Sequence, residues 1–132
     1  MKARLFFMKW LTILFIVFII AVIVLANNGK LGSLHFIYDF PNGDKAGHFI
    51  LFGILTFLLD LTFFQTLPHV DRKRVAILIG LILTLLIGLE EFSQKFIPGR
   101  TYSLFDLLAS YTGVSFFSWL ALKIKKKLSF AK

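Results

Sequence analysis

Three short segments bring polar chemistry into an otherwise apolar chain: Asp44-Lys45-Ala46-Gly47-His48, Glu90-Glu91-Phe92-Ser93-Gln94, and the stretch from Arg100 to Asp106. Asp44 and Lys45 precede His48 by four and three residues, so all three share a helical face if the helix already starts there. Glu91 and Gln94 are three apart, and Glu90 and Gln94 are four apart. The two glutamates are separated by about 100° around a helix and cannot both point at one spot, so spacing alone does not choose between them. Brought together, these residue types support two chemistries. Lys45 and Arg100 can engage a phosphate or carboxylate, lysine as a point charge and arginine through its fork. His48, with Asp44 one turn before it, or Glu91 can act as a general acid or base.

Each residue also has a plainer role. Asp44 follows Pro41-Asn42-Gly43 and can N-cap a helix. Ser103-Leu104-Phe105-Asp106 matches a capping box with Asp106 at its third helical position. Lys95 can snorkel and Glu90 can face water. The cluster is therefore more informative than any member. Ionisable groups near a membrane are costly, by about 2.5–3.5 kcal/mol at a span centre and less towards the ends, so they tend to pair or to mark a site.

The elements that must position these residues are four long apolar runs. The chain has 132 residues, 58% of them hydrophobic and 17 of them phenylalanine, with a mean hydropathy of +0.82. That is enough chain for one domain, residues 1–132, and the apolar share exceeds that of ordinary soluble domains. Residues 5–26, 48–64, 75–92 and 104–122 are each long and apolar enough to cross a bilayer as a helix. The predicted fold is an all-α integral membrane protein of four transmembrane helices. Val24-Leu25-Ala26 offers small residues suited to signal cleavage, but the apolar run before it is longer than a signal core.

Charge sets the orientation. The net charge of +8 comes from basic residues at the ends of apolar runs, a membrane pattern that argues against a nucleic-acid partner. Lys2, Arg4 and Lys9 precede the first run, Arg72, Lys73 and Arg74 separate the second from the third, and Lys123, Lys125, Lys126, Lys127 and Lys132 follow the fourth. Only Lys30, Lys45, Lys95 and Arg100 lie in the other two connections. The positive-inside rule predicts both termini in the cytoplasm and the polar cluster at the outer face. The short turn around Pro98-Gly99 makes the third and fourth spans antiparallel neighbours and brings Arg100 back over their ends. Asp60 follows His48 by twelve residues, about 18 Å deeper, and is expected at the opposite, cytoplasmic interface. Gly43 and Gly47 form a GxxxG at a loop–helix boundary, weak evidence for helix pairing.

Asp44-Lys45-Ala46-Gly47-His48-Phe49, Glu91-Phe92-Ser93-Gln94 with Arg100 after the turn, and Ser103-Leu104-Phe105-Asp106 with Gly113 beyond it resemble the VanZ-like family of small bacterial membrane proteins. The resemblance runs from the first outer loop through the fourth span. It selects Glu91 over Glu90 as the inward carboxylate, and implies a bacterial cytoplasmic membrane protein linked to tolerance of the glycopeptide teicoplanin. One position departs from the family: Ser110 stands four residues after Asp106, where asparagine is common. A shorter hydroxyl there loses, or bridges through water, a ligand contact that an amide would make.

Asp44, Lys45, His48, Glu91, Gln94, Arg100, Asp106 and Ser110 are thus the expected cluster. The leading reading is an outer-face site for an amphipathic or lipid-linked cell-envelope ligand, with membrane lipids as surroundings and an envelope intermediate or a glycopeptide as partner. The alternatives are a non-catalytic accessory subunit whose cluster is an interhelical salt-bridge network, and an acid/base enzyme using His48 or Glu91 on a lipid-linked substrate. The sequence has no HExxH and no nucleophile elbow. No cofactor is expected, and no metal, because Lys45 and Arg100 would oppose a cation.

Overall fold

The computed structural model describes residues 2–27, 43–97 and 104–130. They form four helices: α1 (Lys2–Asn27), α2 (Gly43–Thr66), α3 (Arg72–Ser93) and α4 (Leu104–Phe130). A 3-10 turn, Gln94–Phe96, continues α3. All four are long and apolar enough to cross a membrane, over 21, 22, 25 and 21 residues. At 1.5 Å per residue, each window exceeds the roughly 30 Å hydrocarbon core. The helices extend past the expected spans by a few residues at most ends, because flanking polar residues continue the same backbone hydrogen bonding.

Proline and local turns end the helices. After α2, the Leu67 amide still donates to the Phe63 carbonyl at 2.9 Å, and the Val70 amide closes a turn onto Leu67 across Pro68 at 3.1 Å. Asp71 then sits at non-helical φ −57°, ψ 129° without a side-chain cap bond, and α3 begins. At the other end of α3, Ile97 is extended at φ −108°, ψ 123° and leads the chain out of the helix.

The second helix is the hub. It packs against α1, α3 and α4, and its contact with α4 is far more extensive than that between the hairpin neighbours α3 and α4. Two glycines explain the intimacy. A Cβ on Gly113 would run into the backbone of Phe49, and one on Gly53 would run into the Phe117 ring. Small residues that admit a neighbouring backbone or ring are how helices pack closely where lipid offers no hydrophobic drive. Gly47, from the GxxxG, faces open space. The tight crossing therefore uses different glycines from the motif.

Two apolar clusters fill the bundle. Ile19, Leu55, Leu83, Ile87 and Val114 form one, and Phe64, Val75, Ala76 and Ala121 the other. The outward faces are equally apolar, with Phe7, Leu14, Ile77, Leu81, Leu85 and Trp119 all exposed. The first helix docks on α2 through a buried hydroxyl pair, Thr12 Oγ1 to Thr62 Oγ1 at 2.9 Å.

Candidate functional site

Two acid–base pairs stand side by side where α2 starts, α3 ends and α4 starts. Lys45 and His48 lie one turn apart on α2. His48 Nε2 is 3.7 Å from Glu91 Oε2 on α3, and Lys45 Nζ is 4.0 Å from Asp106 Oδ1 on α4. One helix supplies both bases and its two neighbours supply the acids. Spacing on α2 sets this arrangement, since residues three apart share a face.

Burial divides the pairs by sign. The Lys45 and His48 side chains are 37% and 21% exposed, against 12% for Asp106 and 1% for Glu91. The carboxylates form the floor and the bases the rim. A pair as long and open as Lys45–Asp106 adds little stability, generally below about 1 kcal/mol. Its lysine is free to swing towards another anion at small cost. Glu91 is the opposite case: an acid this enclosed must be held by donors.

Gln94 is one of those donors. It is itself buried, and its Nε2 donates to Glu91 Oε2 at 3.2 Å and to Glu90 Oε1 and Oε2 at 3.1 Å each. Two N–H groups thus serve three carboxylate oxygens. Facing water was the plainer role open to Glu90. Instead, the i, i+4 relation to Gln94 brings it to the edge of the cluster, while Glu91 remains the inward acid.

Ser110 is completely buried, and its hydroxyl donates to the Asp106 carbonyl one turn back at 3.1 Å. Its hydrogen goes to its own helix, where the longer amide of asparagine could have reached outward. Asp106 lies in the first turn of α4, where a carboxylate also suits the helix dipole. α2 begins at Gly43, placing Asp44 inside its first turn, not at the expected cap. The side chain of Asp44, and all of Arg100 and Ser103, lie outside the described residues. Among the described residues, no three His, Asp or Glu side chains converge as a metal site requires.

Asp60, expected towards the opposite, cytoplasmic interface and apart from the outer cluster, is fully buried, six residues before the end of α2 and so about 9 Å inside it. The neighbouring Ser118 hydroxyl on α4 can interact with this carboxyl, but so loosely that neither oxygen gains a hydrogen bond of ordinary geometry. Length along the helix does not give its face, which turns towards Ser118 on α4. Sequence reasoning also missed the Thr12–Thr62 tether and the bond from the Tyr111 hydroxyl to the Thr84 carbonyl, 3.0 Å, that ties α4 to α3. Hydroxyls within apolar runs were the available signal.

No family model matches the chain, and no solved structure matches it. The chain is similar to an uncharacterised protein of the fission yeast Schizosaccharomyces pombe, with 35% identity over 100 residues, which is 75% of this chain and 56% of that protein. The chain thus spans little more than half the length of this relative. The similar sequence belongs to a eukaryote, whereas the resemblance noted in the sequence carries the expectation of a bacterial source.

Proposed function

We propose that the chain is a multi-pass membrane protein with both termini on the cytoplasmic side, and that the cluster at its outer end binds the polar head of an amphipathic or lipid-linked ligand. The carrying observation is the division of the site into exposed bases over buried acids, Lys45 and His48 above Glu91 and Asp106. A phosphate or carboxylate arriving from the membrane surface meets the α2 bases first and competes with the acids for them. Hydroxyl or amine groups on the same ligand would satisfy Glu91 and Asp106. Arg100, which follows the last residue of α3 by seven positions in the sequence, is the proposed further anion contact.

The charge pattern supports the orientation, since basic residues gather at the start of α1, at the start of α3 and along the end of α4, away from the cluster. The yeast relative favours defining the ligand by its chemistry, a phosphorylated or carboxylated lipid, over any one bacterial pathway. Glycopeptide tolerance is the phenotype that the VanZ-like motifs suggest assaying. The test is whether a phosphorylated lipid co-purifies with the protein and is lost when the cluster is neutralised.

A second reading has its own support. Glu91 is almost completely buried and already held by Gln94 and His48, as expected of a network that fixes three helices in register. Substitutions separate the two, because a fastening network lowers folded yield while a site loses ligand with the fold intact. His48 would be the acid/base of an enzyme here, since it is the more accessible member of its pair.

A further inference from the structure

A second feature lies at the other end of the bundle and is independent of what the polar cluster does, although it shares the bilayer reading. Between α3 and α4 runs an open groove of about 490 Å³, whose lining includes Lys73, Gly80 and Thr84 from α3 and Ser115, Ser118 and Trp119 from α4. It opens sideways, towards the surface that carries exposed Ile77 and Leu81.

Three properties indicate its occupant. From Lys73 to Thr84 the groove follows α3 for about 16 Å at 1.5 Å per residue, close to half of the roughly 30 Å hydrocarbon core. It therefore matches the acyl depth of one leaflet. Its mouth is cationic: Lys73 lines it, Lys123 Nζ lies 4.8 Å from the centre of the Trp119 ring on the opposite wall, and among the described residues no acid lines it. Tryptophan and lysine together are the usual occupants of headgroup depth. Its floor is open at Gly80, where an added Cβ would meet nothing within 4 Å.

We infer that this groove seats one anionic glycerophospholipid from the leaflet on the basic side of the protein, its phosphate between Lys73 and Lys123 and one acyl chain over Gly80. Lysine holds a phosphate as a point charge without fixed geometry. Basic pockets between membrane helices are suited to acidic head groups, each basic residue adding about a five-fold preference. Ser115 and Ser118 offer hydroxyls to the ester region below the head group.

Native mass spectrometry of the detergent-purified, delipidated full chain tests this, with dioleoyl phosphatidylglycerol and dioleoyl phosphatidylcholine as probes and soluble glycerol 3-phosphate as the headgroup alone. The wild type should retain one phosphatidylglycerol at about 25-fold lower lipid concentration than phosphatidylcholine, about five-fold for each of the two lysines, and no glycerol 3-phosphate. Lys73→Gln should cut the preference to about five-fold, and Gly80→Leu, which fills the floor, should remove binding of both lipids. Should Gly80→Leu fail to fold, Ile77→Trp blocks the groove from its exposed edge and should act alike. Equal retention of the two lipids by the wild type, or undiminished retention by the groove-filled variant, would overturn the assignment. Glycerol 3-phosphate binding as tightly as the lipid would show a free-phosphate site and overturn it too.

Discussion

His48 and Glu91 meet across the α2–α3 interface, Nε2 3.7 Å from Oε2, with Glu91 only 1% exposed. A carboxylate so enclosed fixes the rotation of α3 against α2, because turning either helix by one residue would separate the pair by about 100°. The same rotation sets Gln94 beside both glutamates.

The α2–α4 crossing should depend on Gly113 and not on Gly47. Gly113→Ala drives a Cβ into the Phe49 backbone, and is expected to cost about 1–3 kcal/mol, as overpacking of a tight interface does. Gly47→Ala meets open space and should be neutral or stabilising by up to about 1 kcal/mol through helix propensity. Thermal melting in detergent distinguishes them, and equal effects would contradict the crossing described here.

Beyond its apolar packing through Ile19, the first helix should be tethered by the Thr12–Thr62 hydroxyl pair. Thr12 donates to the Met8 carbonyl at 2.8 Å, so Thr62 supplies the hydrogen of the 2.9 Å contact between them. Thr12→Val and Thr62→Val should each cost about 0.6–1.7 kcal/mol, the range for interhelical hydrogen bonds in membranes. The double variant should cost little more than either single one, since both remove the same bond. Fully additive losses would mean that the hydroxyls act separately.

Asp60 should destabilise the fold as it stands. Its buried oxygens lack well-formed hydrogen bonds, a condition that costs about 1–3 kcal/mol. Asp60→Asn keeps the volume, removes the ionisable group and can donate to Ser118. The expected result is a higher melting temperature in detergent. A lower one would show that the carboxyl itself holds a partner worth more than its burial costs.

Topology has a direct readout because the chain contains no cysteine. Single cysteines replacing Arg74 or Lys126 should react with a membrane-impermeant maleimide only after the cells are opened. One replacing Phe96 should react in intact cells. The reverse pattern would invert the orientation and move the polar cluster to the cytoplasmic face.

Much of this was legible in the sequence for physical reasons. Apolar runs long enough for a bilayer become helices because lipid leaves the backbone no other partners. The register of Lys45 with His48 follows from helical spacing alone. The α2–α4 intimacy was not legible, because it depends on Gly53 and Gly113 accepting Phe117 and Phe49 from distant parts of the chain. Asp60 was placed by counting residues, which gives depth along a helix but not which neighbour its face meets. Spacing left both glutamates open and the resemblance chose Glu91, whereas the long Gln94 side chain reaches both carboxylates at once.

The most direct test is native mass spectrometry of the protein purified from its own membranes, comparing wild type with Glu91→Gln and Lys45→Gln at matched folded yield. Lys45 is more than a third exposed, so its substitution keeps the fold even if that of Glu91 does not. A phosphorylated or carboxylated lipid bound to the wild type and lost from the folded variants is the result expected of a binding site. Variants that fold normally and carry every lipid that the wild type carries, with none lost beyond what the α3–α4 groove holds, or a wild type that carries none, would contradict it.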